Sequence, residues 1–127
     1  GMNLSQDIPL VFMPPNSCFA SLSYRTKKTI KLSSKLNLED LEFEVNNRYV
    51  FEQKYLNSDQ DFVAPPQGYN LLGAKISANL SSPKLRYRVF AQIDNMLNTA
   101  YRDYLNRQRY FADDLGYSVT IGAQLKF

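Results

Sequence analysis

Apolar residues recur at every second position over the last eleven residues of the chain. These apolar positions are Tyr117, Val119, Ile121, Ala123, Leu125 and Phe127. Successive side chains of a β-strand point to opposite sides of the sheet, so a period of two is typical of a strand with one apolar and one polar face. The sequence therefore predicts a strand over 117–127.

The same alternation predicts four further strands upstream. They cover residues 18–24, 41–53, 69–80 and 85–95. The link Ser81-Ser82-Pro83 is typical of a tight hairpin turn between the last two of them. Residues 26–39 remain ambiguous, because Ile30 and Leu32 indicate a strand whereas 34–41 is also compatible with a helical turn.

Short links alternate with long ones along the chain. The long connections are 54–68 and 95–115, and the link at 81–83 is short. We therefore predict an all-β fold, an antiparallel β-meander of five or six strands, forming a single domain over 1–127. The alternation of link lengths is expected of a membrane barrel, which has short turns on one side and long loops on the other.

Composition excludes several classes of chemistry. The chain has 127 residues, a net charge of +3 and no histidine. Without histidine, Ser-His and Cys-His nucleophiles and the usual His-containing zinc sites are impossible. Cys18 is the one cysteine, so no internal disulfide can form. We expect no enzyme activity, no catalytic residue, no metal and no cofactor.

The sequence shows neither a targeting segment nor a membrane helix. Its start lacks a basic segment followed by an apolar one, so we expect no signal peptide within these residues. Gly1 before Met2 is typical of the remnant of a removed purification tag. No apolar run approaches the roughly 18–20 residues of a membrane helix, so a membrane could be crossed only by alternating strands.

Residues 94–105 carry a resemblance to a known family. They read Asp-Asn-Met-Leu-Asn-Thr-Ala-Tyr-Arg-Asp-Tyr-Leu. This resembles the N-L-F-N-T-x-Y-R-D-Y stretch of TonB-dependent outer-membrane receptors, where the penultimate barrel strand breaks into the last extracellular loop. Met96 replaces the more usual Phe or Leu, and residues 106–116 also match the loop that follows.

The end of the chain strengthens that resemblance. Residues 120–127 fit the pattern polar-x-Gly-x-x-apolar-x-aromatic through Thr120, Gly122, Leu125 and Phe127. This is similar to the signal that the outer-membrane assembly machinery reads on barrel proteins. Residues 8–16 look like a loop that enters a barrel strand, and the spacing of 48–51 and 68–72 is familiar in the family.

The resemblance implies that the chain is the C-terminal part of a receptor whose barrel of 22 strands closes around a plug. Such a receptor takes up a scarce substrate, for example an iron chelate or haem, across the outer membrane with energy from the TonB complex. The strands over 41–53 and 85–95 would run outward, and Phe127 would end at the periplasmic rim. TonB would be contacted only through regions missing here, so we expect the isolated segment to be inactive in transport.

A partial barrel of this size leaves open edges at its first and last strands. We therefore expect self-association, with strands from two copies completing a barrel or a continuous sheet. The other partners expected from the resemblance are the outer membrane and its assembly machinery.

One loop holds the candidate ligand contacts. It interleaves basic and aromatic residues at Tyr101, Arg102, Tyr104, Arg107, Arg109 and Tyr110. In a receptor loop this cluster would contact a ligand or brace neighbouring loops, and a packed, solvated loop is an equally good interpretation. Such a mixture also suits single-stranded nucleic acid. No RNA-binding motif accompanies it, so we expect no nucleic-acid partner.

A second hypothesis comes from a different class of protein. Alternating apolar faces also form the interior of a small soluble β-barrel that binds an apolar ligand. In that case the apolar faces converge on an internal cavity. In a receptor segment they face outward or are hidden by association.

Overall fold

The chain is all-β, as predicted. The computed structural model describes residues 2–5, 7–10, 12–55 and 61–126. Its strands are β1 (Met2–Asn3), β2 (Ile8–Pro9), β3 (Ser17–Thr26), β4 (Ile30–Ser33), β5 (Leu36–Val50), β6 (Tyr69–Ser81), β7 (Arg86–Asp94) and β8 (Ser118–Lys126). A single 3₁₀ turn covers Arg107–Tyr110. β1 and β2 form a small antiparallel ribbon, and the other six strands form one antiparallel sheet that does not close into a barrel.

The strands follow one another across the sheet in sequence order. β5, β6, β7 and β8 pair successively, while β3 and β4 both pair with β5. β3 lies along residues 41–50 and β4 along 36–38, so the two occupy the same side of β5. The predicted meander is thus confirmed. For the ambiguous residues 26–39 the strand interpretation is confirmed, and the helical turn over 34–41 is wrong because β5 already begins at Leu36.

The register places apolar side chains in continuous rows across the sheet. One row joins Tyr24, Phe43, Ile76, Ala91 and Ile121. The next row joins Leu22, Val45, Ala74, Ile93 and Val119. Because residues directly opposite each other share a face, these rows form one surface, which we call the apolar face.

No second layer packs on the apolar face within the described part of the chain. The described strands contact only their neighbours in the sheet. Leu22 and Ile121 are 78% and 80% exposed, and even Ile76 in the central strand β6 is 40% exposed. A sheet face of this kind must be covered by something else to contribute hydrophobic stabilisation.

The opposite surface, the polar face, carries a ladder of charges. Glu42 on β5 accepts hydrogen bonds from Arg25 Nη2 at 3.0 Å and from Arg88 Nη2 at 3.2 Å. Arg88 Nη2 also donates to Ser77 Oγ at 3.3 Å. Both arginines are about half exposed, so these ion pairs fix side-chain orientation more than they add stability.

A β-bulge at Asp40 keeps both ends of β5 in phase with β6. Leu38 lies opposite Leu80 and Phe43 opposite Ile76, although 38 and 43 differ by an odd number. The extra residue is accommodated where Asp40 adopts φ 49°, a left-handed conformation that Asp tolerates better than most residues. Asn79 Nδ2 donates to Asp40 Oδ2 at 3.0 Å across the irregularity.

The two ends of the sheet differ as the link lengths predict. The turn between β6 and β7 is short, with Ser82 N donating to Leu85 O at 2.9 Å and Leu85 N to Ser82 Oγ at 3.1 Å. The connections over 51–68 and 95–117 leave from the opposite end, which we call the loop end. Most of the buried residues lie there, among them Val50, Tyr69 and Tyr104. No helix in the described residues has the length and apolar character to cross a membrane.

Gly122 provides space for an aromatic ring on the polar face. It lies opposite Phe90, and a Cβ at this position would lie 2.5 Å from Phe90 Cε1 and Cζ. We predict that Gly122→Val lowers the free energy of unfolding by about 1–3 kcal/mol through overpacking. In a Phe90→Ala background, urea denaturation should show a much smaller loss of unfolding free energy on Gly122→Val. Thr120→Val, on the same face opposite Gln92, is the control. An equal loss of unfolding free energy on Gly122→Val with Phe90 and with Ala at position 90 would refute the steric explanation.

Candidate functional site

Backbone hydrogen bonds tie the connections of the loop end to one another and to the sheet. Phe51 N donates to Asn16 O at 2.9 Å, which joins the segment before β3 to the segment after β5. Met96 N donates to Leu72 O at 2.8 Å, and Asp114 N to Tyr101 O at 2.8 Å. The loops therefore form one surface next to the ends of the strands.

Two asparagines set the shape of the loop over 95–117. Asn95 and Asn98 have φ values of 48° and 52°, and Asn is among the few non-glycine residues that adopt this conformation readily. Buried Asn95 accepts a hydrogen bond from Thr99 N at 2.9 Å and donates to Thr99 O at 2.9 Å. Asn98 Oδ1 accepts from Tyr117 N at 3.1 Å, so the two side chains fix the exit from β7 and the entry to β8.

Two carboxylates organise the middle of this loop. Asp114 accepts from Asp103 N at 2.6 Å and from Asn106 Nδ2 at 2.7 Å. Asp103 accepts from Leu105 N at 2.9 Å and from the Tyr69 hydroxyl at 2.9 Å. Both carboxylates are engaged by loop backbone and side chains, so their role in this conformation is structural.

A buried ion pair joins the two long loops. Arg109 and Asp61 have side chains that are only 3% and 9% exposed, and Arg109 Nη2 donates to Asp61 Oδ2. The Tyr110 hydroxyl donates to the other oxygen of Asp61 at 2.6 Å. The guanidinium carbon of Arg109 lies 4.8 Å from the ring centroid of Tyr104 and 4.6 Å from that of Tyr110. Cation–π contacts and the ion pair thus act together on one buried arginine.

The electrostatics of this cluster keep its ion pair charged at neutral pH. Burial raises the pKa of Asp61, but the hydrogen bonds from Tyr110 and Arg109 outweigh it, and the pKa is lowered overall. The hydrogen bond to Asp61 raises the pKa of Tyr110, and burial raises the pKa of Tyr101 and of Tyr104. At neutral pH the carboxylate is therefore ionised and the phenols are protonated, which leaves no activated base or nucleophile among them.

A groove of about 590 Å³ lies between the loops over 51–68 and 95–117. Its lining includes Tyr49, Pro66, Asn70, Tyr101, Arg102 and Asp113. The rings of Tyr101 and Tyr69 pack with centroids 4.5 Å apart, and Arg102 Nε pairs with Asp113 Oδ1 at 2.5 Å. The groove is wide and mostly open to solvent.

The structure divides the six predicted loop contacts between different environments. Tyr101 and Arg102 line the groove, whereas Tyr104, Arg109 and Tyr110 belong to the buried cluster around Asp61. Arg107 is exposed, with its guanidinium carbon 5.8 Å from the ring centroid of Phe12. Arg109 thus braces two loops, and only part of the predicted set is brought together at one surface.

Sequence reasoning missed three residues of these sites. Asp61 lies in a connection without any periodicity, so nothing indicated that it would meet Arg109. Asn70 and Tyr49 did leave a signal: Asn70 places an amide on the apolar alternation of β6, opposite Tyr49 of β5.

The residues of the predicted assembly signal lie on the edge strand β8. Thr120 and Gly122 share the polar face and Leu125 lies on the apolar face, opposite Gln92, Phe90 and Tyr87 respectively. Phe127 lies outside the described residues. Within the described ranges, no group of three or more His, Cys, Asp or Glu side chains is arranged to hold a metal ion.

Comparisons with known proteins give no match. The chain matches no family model, no curated protein and no solved structure. The resemblance of residues 94–105 and 120–127 to outer-membrane receptors is therefore supported by those residues alone.

We predict that Asp61→Asn opens the contact between the two loops. The substitution keeps the size of the side chain but leaves the buried Arg109 without its counter-charge, and breaking a buried ion pair costs about 3–5 kcal/mol. Hydrogen–deuterium exchange should therefore accelerate by about two orders of magnitude or more over 104–112. Asp113→Asn is the matched control, because its pair with Arg102 is about half exposed and contributes about 0–1 kcal/mol. Unchanged exchange in the Asp61 variant would contradict the bracing role.

A pH series measures the same contact in the unmodified chain. The pKa of Asp61 is lowered on folding, so ionised Asp61 stabilises the folded loops. This stabilisation is fully present above the ordinary pKa of 3.8 and is lost as the pH falls through the lower pKa of the folded state. Loop exchange should accelerate only in that acidic range, and Asp61→Asn should remove the acceleration.

Proposed function

We propose that this chain is the C-terminal barrel segment of a TonB-dependent outer-membrane receptor that takes up a scarce substrate such as an iron chelate or haem. The apolar face then meets the hydrocarbon of the membrane, the polar face lines the barrel interior and the loop end faces the outside. The observation that carries the proposal is the uncovered apolar face, continuous over the whole width of the sheet and opposite an ion-paired polar face.

The dimensions of the sheet support a membrane location. β3 has ten residues and β7 and β8 have nine each, and a tilted membrane strand needs about 9–11. From Tyr117 to Leu125 the apolar alternation covers eight residue steps, or about 27 Å along the strand. A tilt of about 40° reduces this to about 20 Å of height, close to the apolar band of about 25 Å on outer-membrane barrels.

The size of the apolar face also supports burial in the membrane. Five strand positions about 4.8 Å apart and about 27 Å long give an area of about 600 Å². An apolar patch of that size is at the upper limit of what soluble monomers expose and marks an interaction or membrane surface. Tyr87 lies near its turn end and Tyr49 and Tyr117 near its loop end, where aromatic girdles of barrels occur.

In this proposal the segment forms part of the barrel wall and of the extracellular loops, whereas the intact receptor carries out transport. The TonB complex is contacted through regions beyond these residues, and the assembly machinery reads residues 120–127. Exposed Arg107 and half-buried Tyr101 remain candidate ligand contacts, whereas Arg102 is paired with Asp113 and donates to Arg109 O at 3.0 Å, and Tyr104, Arg109 and Tyr110 brace the loops. The proposal assigns the segment no catalytic residue, metal or cofactor and no nucleic-acid partner.

The alternative, a small soluble β-barrel around an apolar ligand, needs apolar faces that converge on a cavity. The described sheet is open, and its apolar side chains are exposed and enclose no cavity among the described residues. No specific observation favours this alternative.

Adjacent residues of β3 test which face meets lipid. Ala20 lies on the apolar face and Ser21 on the polar face, opposite Asn47 and Asn46. In a Cys18→Ser background we expect a bimane label at Ala20→Cys to be strongly quenched by nitroxide lipids in reconstituted vesicles, and a label at Ser21→Cys to be quenched weakly. Equal quenching at the two positions would count against a membrane-spanning sheet.

Without lipid, we expect the apolar face to be covered by a second copy of the chain. Multi-angle light scattering should give a mass of at least twice 14.6 kDa. The double variant Val119→Lys/Ile121→Lys should shift the mass to that of a monomer, because these side chains are 59% and 80% exposed in the single chain. Thr120→Lys, on the polar face of the same strand, is the control. A monomeric unmodified chain would contradict self-association.

A further inference from the structure

Exposed cations collect at the turn end of the sheet, which is the end opposite the loop end. We call this group the basic rim, and its members are Lys27, Lys28, Lys31, Lys35, Lys84 and Arg86. The segments that contain them, 26–38 and 81–88, have no Asp or Glu. The net charge of the whole chain is only +3, so its positive charge is concentrated at this end.

The basic rim lacks counter-charges within the described part of the chain. No ion pair joins any of its members to another described residue, whereas Arg25 and Arg88 of the neighbouring charge ladder both pair with Glu42. Asp40, an acid at the same end, accepts a hydrogen bond from Asn79 Nδ2 at 3.0 Å. A surface of like charges gains from any anionic partner that neutralises it.

The fold brings the basic rim together from three separate links. Lys31 and Arg86 lie in one row across β4, β5, β6 and β7, on the polar face. Three strand spacings of about 4.8 Å separate them, or about 14 Å in all. Lys35 lies in the turn between β4 and β5, and Lys84 in the turn between β6 and β7. The other two lysines lie in the link between β3 and β4.

The last row of the apolar face lies directly beside the basic rim. This row joins Ile30, Leu38, Leu80, Tyr87 and Leu125. Lys35 and Lys84 lie three residues beyond Leu38 and Tyr87 respectively. Three residues correspond to about 10 Å along a strand, or about 8 Å in height at a tilt of about 40°. The polar layer on each side of the hydrocarbon is about 5–8 Å thick, so these two ammonium groups lie at the level of the headgroups.

We propose that the basic rim binds the phosphate headgroups of anionic phospholipids in the leaflet at the turn end. The inference rests on the membrane location proposed above and adds which lipids surround this end of the sheet. The four lysines in the links contact the headgroups, because flexible lysine stems can follow an apolar surface and place the ammonium group in the polar layer. Lys31 and Arg86 lie on the polar face and strengthen the positive potential from behind.

The test compares two lipids at the same place on the molecule. Exposed Ser34, next to Lys35, is replaced by Cys in the Cys18→Ser background and labelled with bimane. The vesicles contain phosphatidylcholine and phosphatidylglycerol in equal amounts, and a small fraction of either one lipid or the other carries a nitroxide near its headgroup. We expect nitroxide phosphatidylglycerol to quench the label at least about twofold more strongly than nitroxide phosphatidylcholine.

Two controls tie this preference to the charges of the basic rim. A label at Tyr117→Cys, near the loop end of the apolar face, should be quenched equally by the two lipids. In 1 M NaCl the screening length falls to about 3 Å, so the ratio at Ser34→Cys should approach one. A ratio of one at Ser34→Cys in low salt would overturn the proposal, and so would a ratio that salt does not change.

Variants separate charge from structure. Replacement of all four link lysines by Gln, that is Lys27→Gln, Lys28→Gln, Lys35→Gln and Lys84→Gln, should abolish the preference for phosphatidylglycerol. The same four replacements by Arg keep the charge and should retain it. Because these side chains are exposed and make no ion pair with a described residue, both variants should keep the melting temperature of the unmodified chain. A preference that persists in the Gln variant would overturn the assignment.

The labels at Ala20→Cys and Ser21→Cys distinguish failure of this inference from failure of the receptor proposal. Equal quenching at those two positions would overturn both proposals. Stronger quenching at Ala20→Cys without any lipid preference at Ser34→Cys would overturn the lipid assignment alone. Nucleic acid is the other polyanion that a basic surface attracts. Binding of a duplex oligonucleotide that the Gln variant loses, without a preference for phosphatidylglycerol, would assign the basic rim to nucleic acid and overturn the proposal.

Discussion

The register between neighbouring strands is the constraint on which the rest of this molecule depends. Side chains alternate across a strand, so a slip of one residue in any pair would exchange the two faces of that strand. In the observed register Ile76 stands between Phe43 and Ala91, and Ser77 between Glu42 and Phe90. The same pairing therefore produces both the continuous apolar face and the ion-paired polar face. It also brings the long connections together at one end.

The sequence predicted the strands wherever this alternation runs without interruption. β6, β7 and β8 were found within a few residues of their observed bounds, because each keeps one phase throughout. The first part of β5 was missed, since the phase changes at Asp40 and the residues before the bulge no longer fit the pattern that follows. A period of two can be recognised only over a stretch in which it does not slip.

The candidate site was predictable in composition and much less so in arrangement. Basic and aromatic residues over 101–110 stood out in the sequence, but residue type alone does not separate a buried brace from an exposed contact. Arg109 meets Asp61, which lies 48 positions earlier in a connection without periodicity. Burial then decides the role of each residue: the guanidinium of Arg109 is enclosed between two rings, and that of Arg102 remains near the surface.

The bulge at Asp40 has a consequence for how such a chain can evolve. A single inserted or deleted residue within a regular strand would move every later side chain of that strand to the opposite face of the sheet. At Asp40 the backbone absorbs the additional residue at a left-handed turn of the main chain, so Leu38 and Phe43 still point to the same side. Length changes are therefore accessible at this position as well as in the loops, whereas elsewhere in the strands they would have to occur in pairs.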